Sequence, residues 1–61
     1  MITTKRKQEI QEMAEADAIE DYNMGQISLL DIDELDPEDV GLNTLEELKV
    51  YIEMYNTYVN E

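Results

Sequence analysis

The side chains able to do chemistry in this sequence are almost all carboxylates. Sixteen Asp and Glu stand against four Lys and Arg, with no His and no Cys, and the formal net charge at pH 7 is −12. Carboxylates can work as an acid–base pair, hold a hard cation, or imitate the phosphates of a nucleic acid. The first use needs a pocket that raises the pKa of one partner, and 61 residues leave little room for one. Ser28, Thr3, Thr4, Thr44 and Thr57 have no candidate base nearby except carboxylates, and Gly25 and Gly41 stand alone rather than in a phosphate-cradling run. Lacking Cys and His, the chain offers none of the usual ligands for zinc, iron–sulfur or haem, and no Cys–His or Ser–His nucleophile pair. The expectation is a protein that is not an enzyme and holds no cofactor or metal.

The second use fails on spacing. Asp31, Asp33, Glu34, Asp36, Glu38 and Asp39 crowd into one short stretch, which invites comparison with a calcium loop. Counted from Asp31, however, the fifth position is Leu35, the sixth is Asp36 where a glycine must turn the chain, and the twelfth is Leu42 where a bidentate Glu belongs. Starts at Asp33 or Asp36 fail in the same way, leaving only weak, nonspecific divalent binding.

The third use fits the amount of charge. A folded chain of this length has a radius of gyration of about 10 to 11 Å and a long dimension of roughly 27 Å. Over that distance duplex DNA, at one charge per ~1.7 Å, presents about sixteen phosphates. The composition resembles that of small acidic proteins that imitate DNA and are often carried by viruses and mobile elements. On this reading the protein is a nonenzymatic inhibitor of a basic, nucleic-acid-binding protein, and Glu9, Glu12, Glu20, Asp31, Asp33, Glu34, Asp36, Glu38 and Asp39 supply the phosphate-like charge. So negative a chain is not expected to bind nucleic acid or an anionic membrane directly. The alternative is a small regulatory module whose specific contact is apolar, made by Tyr51, Met54, Tyr55 and Tyr58.

Positioning these residues falls to helices. The expected fold is all-α, a single domain over 1–61, with two longer helices at about 4–24 and 44–60 joined by short helical turns at about 29–35 and 37–40. Thr3 or Thr4 is the N-cap of the first helix and Gly25 its stop. Its apolar stripe is Ile10, Ala14, Ala18 and Tyr22, flanked by Met13 and Ile19, so the buried face is narrow and rich in alanine. Lys5, Arg6 and Lys7 oppose the helix dipole at its start, an arrangement suited to a solvent-facing or frayed end. In the middle segment, Ser28 and Asp31 resemble a capping box, with Leu29, Leu30, Ile32, Leu35, Val40 and Leu42 as inward anchors. Asp36-Pro37 restarts the chain and Gly41 stops it. Thr44 and Glu47 form the capping box of the last helix, whose expected seam is Leu45, Leu48, Ile52, Tyr55 and Val59. Apolar Val50, Tyr51, Met54 and Tyr58 lie outside that seam, implying contact with more than one neighbour or with another chain.

Stability is the remaining constraint. In so short a chain apolar burial nearly cancels the ordering cost, and mutual repulsion among carboxylates lowers stability further. A homodimer, a bound partner or screening salt would supply the difference. No apolar stretch approaches the ~18 to 20 residues that span a bilayer, and no signal-peptide-like segment follows Lys7. A cytoplasmic protein is expected.

Overall fold

Thr3 begins the first helix by local chemistry alone. Its Oγ1 accepts the Arg6 N–H at 3.1 Å, occupying one of the backbone donors that a helix start leaves without a partner. The computed structural model, which describes residues 2–60, carries this helix, α1, over Thr4–Asn23. Gly25 ends it with φ +72°. The Gly25 N–H donates to Tyr22 O at 3.1 Å and the Gln26 N–H to Asp21 O at 2.8 Å, the paired bonds of a left-handed glycine stop. The second helix, α2, spans Leu45–Val59. Thr44 Oγ1 accepts the Glu47 N–H at 3.2 Å, and Glu46 and Glu47 lie in the first turn, at the positive end of the dipole. Between the helices is one 3-10 turn, Pro37–Val40. There the Asp36 N–H donates to Asp39 Oδ2 at 3.1 Å, and Gly41 takes φ +76°. Among the described residues there is no strand, so the fold is all-α.

The helix expected at 29–35 does not form. Asp31 Oδ1 takes the Asp33 N–H at 2.9 Å and Asp31 O takes the Glu34 N–H at 3.0 Å, closing a local turn in place of helical bonds. The Asn56 side chain holds both backbone groups of Leu30: its Oδ1 accepts the Leu30 N–H at 2.8 Å, and its Nδ2 donates to Leu30 O at 3.1 Å. A helix at 29–35 would need the Leu30 carbonyl for the Glu34 N–H, which bonds Asp31 O instead. Of the anchors expected here, Leu42 is buried and Leu30, Ile32, Leu35 and Val40 pack against the core, whereas Leu29 is 61% exposed.

The two helices run in the same direction. Arg6 pairs with Glu47, Asp17 with Tyr51 and Asp21 with Tyr55, so partner numbers rise together along both helices. The linker 24–44 therefore runs back along the pair, its Leu30 against Asn56 late in α2 and its Asn43 against Glu47 at the start of α2. Twenty helical residues at ~1.5 Å rise span about 30 Å, close to the 33 Å long dimension of the molecule.

Ile10, Ala14 and Ala18 form the buried side of α1, facing Leu48, Tyr51 and Tyr55 of α2, with Leu42 of the linker completing the cluster. Tyr22 is not part of it: the expected fourth member of the stripe is 70% exposed. At ~100° per residue an i,i+4 row slants by about 40° per step, and three steps from Ile10 carry Tyr22 off the interface. The seam of α2 is likewise rotated from expectation, since Leu45 is 61% exposed while Tyr51 is buried. The excess apolar surface of α2 has its explanation in two neighbours, α1 on one side and the linker on the other.

Candidate interaction surface

The surface is made of the carboxylates left after the fold has used some of them. Glu47 is the first to be used: the Arg6 Nε and Nη2 donate to its Oε2 and Oε1 at 3.1 and 3.2 Å, and the Asn43 N–H donates to Oε1 at 3.0 Å. The last bond departs from the expected capping box, because the Glu47 carboxylate reaches back to Asn43 rather than to the cap residue. Arg6 is thus held in place with its side chain partly buried, while Lys5 and Lys7 face solvent as expected. It joins the starts of the two parallel helices, with Glu9 3.9 Å from its Nη1. The Arg6 guanidinium and the Asn43 N–H hold the Glu47 carboxyl below its ordinary range, and Glu47 in turn raises Arg6. Because the folded-state pKa of Glu47 is depressed, its stabilising contribution is present at neutral pH and lost as the pH falls through that value. Arg6→Gln is therefore expected to lower the Tm at pH 7, with the difference from the parent shrinking in acid until Glu47 is protonated; paired melts across pH 7 to 2 check this.

Asp17 and Asp21 are used next. Each accepts a phenolic hydroxyl at 2.5 Å, from Tyr51 and Tyr55 respectively, and the two rings stack with centroids 6.1 Å apart at 19°. Burial, more than the adjacent Asp17, raises the Tyr51 pKa. Tyr55 is pushed up to about 12, again by burial first and Asp21 second, with the Ser28 backbone working the other way. Sequence reading missed both pairs. The available signal was the matched spacing, two acids four apart on α1 and two tyrosines four apart on α2.

These bonds correct the apolar alternative. Tyr51 and Tyr55 are each 3% exposed, and Met54 and Tyr58 are half-buried against the same core. The four do not form one outward face, because the Tyr51 and Tyr55 hydroxyls bond Asp17 and Asp21 of α1 and their rings lie in the core. Exposed large apolar groups lie elsewhere, at Ile19, Tyr22, Met24, Leu29 and Leu45.

All nine carboxylates expected on the surface are exposed: Glu9, Glu12 and Glu20 on α1, and Asp31, Asp33, Glu34, Asp36, Glu38 and Asp39 on the linker. They fall into two groups carried by different elements, since the 3-10 turn packs against α2. Asp31 and Asp39 also close local turns through one oxygen each. Neither helix has a base in its last turn. As the helices are parallel, both negative dipole ends lie at the end of the molecule that also holds Glu20 and Asp21. Among the described residues, no three acidic side chains are gathered closely enough to hold a metal ion, and no helix is long and apolar enough to cross a membrane. Comparison of the chain with protein families, curated proteins and solved structures finds no match.

Proposed function

We propose that this chain is a nonenzymatic, cytoplasmic inhibitor that occupies the basic nucleic-acid-binding surface of another protein in place of DNA. The observation that carries the reading is the exposure of twelve carboxylates among the described residues, the nine expected ones included, on a body 33 Å long. Duplex DNA of that length presents about nineteen phosphates at one per ~1.7 Å. Charge-assisted bonds from partner Arg and Lys would supply specificity, and the net charge of −12 would steer association. The competing use of the tyrosine face loses Tyr51 and Tyr55 to the core.

The linker carboxylates are the place to test this, because three of them can be neutralised with little effect on the fold. Asp33→Asn, Glu34→Gln and Asp36→Asn are exposed substitutions, and Asn at 36 remains a good N-cap. A basic partner is first isolated by capture on the immobilised protein and elution in a salt gradient. The triple variant should then bind it about tenfold more weakly, at a few tenths of a kcal/mol per exposed charge. It should also show a shallower salt dependence, and duplex DNA should compete with the parent. Unchanged affinity in the variant, or a complex indifferent to DNA, would sink the proposal.

A further inference from the structure

The linker and α2 enclose an open groove of about 870 Å³ on the side of α2 away from α1. Its apolar lining includes Leu29, Ile32 and Ile52, and its edges carry Asp31, Glu34 and Glu53 against one base, Lys49. The groove exists because Asn56 fixes both backbone groups of Leu30. With Leu30 held against α2, its neighbour Leu29 is left 61% exposed at the groove wall.

Such a surface selects its occupant by two properties at once. The volume lies within the ~300 to 1,000 Å³ of ligand-binding clefts and admits one or two large side chains. Three carboxylates around one ammonium, on a chain of net charge −12, repel anionic groups and favour cations. We infer that this groove seats a short basic protein segment, placing an aliphatic or aromatic side chain between Leu29 and Ile52 and its Arg or Lys neighbours on Asp31, Glu34 and Glu53. The inference rests on the reading that the partner is a basic protein, and adds an apolar anchor that a pure charge imitation of DNA does not need.

Three synthetic peptides of equal length separate the two ideas: one with Lys and Leu in a helical pattern, one with Ser replacing Leu, and one with Gln replacing Lys. Each is titrated into the full ¹⁵N-labelled chain at low and at physiological salt. The Lys/Leu peptide should bind most tightly and move the amides of Leu30, Ile32, Ile52 and Asn56. Leu29→Ser, an exposed substitution that should preserve the circular dichroism spectrum, should weaken it about tenfold, as expected for one aliphatic side chain losing its burial partner. Equal binding of the Lys/Leu and Lys/Ser peptides, or indifference to Leu29→Ser, overturns the groove while leaving a basic partner in place. Equal binding of the Gln/Leu peptide overturns the charge selection. If neither cationic peptide binds at low salt, the basic-partner reading falls as well.

Discussion

Leu48→Ala is expected to unfold most of the population at 25 °C in dilute buffer, whereas Leu45→Ala should change stability by no more than ~0.5 kcal/mol. Leu48 has no exposed surface and is, with Ile10, one of the two largest fully buried side chains. Truncating such a leucine costs about 2 to 5 kcal/mol, the transfer of its methyl groups plus the cavity left behind. A chain of 61 residues has roughly 3 to 9 kcal/mol to lose at ~0.05 to 0.15 per residue. This one belongs at the low end. Its core is seven side chains, two of them alanines, no cysteine is present to cross-link it, and the net charge is −12. Salt should restore part of the helical signal, because the Debye length falls from about 8 Å at 0.15 M to about 3 Å at 1 M. Thermal and urea melts followed by circular dichroism measure all of this. The contrast between the two leucines also decides which stripe of α2 faces α1: the 3-4-3-4 spacing gives Leu45 and Leu48 equal standing, and equal losses would overturn the packing described here.

That contrast marks where sequence reading stops. Features set by neighbours in sequence were legible: the Thr3 and Thr44 caps, the Gly25 stop and the Asp36-Pro37 turn each depend on bonds within about five residues. Exposure of the nine expected carboxylates was legible for a simpler reason, since charged groups stay in water. Tyr22 was misplaced by the slant of its own row, but the larger failures involve distant partners. Leu29–Leu35 reads as a helix until Asn56, 26 residues from Leu30, takes its backbone groups. Tyrosines on a broad apolar helix read equally well as core or as a docking face, and what decides is a pair of aspartates 34 residues away. Arg6 at a helix start reads as an electrostatic misfit until a second helix start, carrying Glu47, lies beside it. Parallel packing underlies the last two, and no local signal announces it. The same long-range bonds reshape the candidate surface, withdrawing Asp17, Asp21 and Glu47 from the acids available to a partner and leaving Leu29 at the groove wall.

Above pH 10 the folded chain should lose stability steeply, and the two buried tyrosines should account for it. Their folded-state pKa values lie above the ordinary 10, with Tyr55 at about 12. Between those limits the unfolded chain releases phenolic protons that the folded chain retains, so the unfolded state binds fewer protons and stability falls as pH rises. Below pH 10 this contribution is fully present. Above it, each tyrosine contributes a slope of up to about 1.4 kcal/mol per pH unit, so the pair together remove on the order of 2 to 3 kcal/mol per unit. A domain with only a few kcal/mol in hand should therefore unfold between about pH 10.5 and 12. Tyr51→Phe/Tyr55→Phe separates this cause from general charge repulsion. Losing two hydroxyl bonds to carboxylates should cost roughly 1.5 to 3 kcal/mol each at neutral pH, so the double variant starts lower and salt is added to keep it folded. Its stability should then decline less between pH 10 and 12 than the parent's under the same salt. Urea midpoints at pH 8, 10, 11 and 12 give the comparison. Parallel declines in the two chains would mean that burial, with Asp17 and Asp21, does not hold these phenols protonated, and would remove the ground for placing the rings inside the bundle.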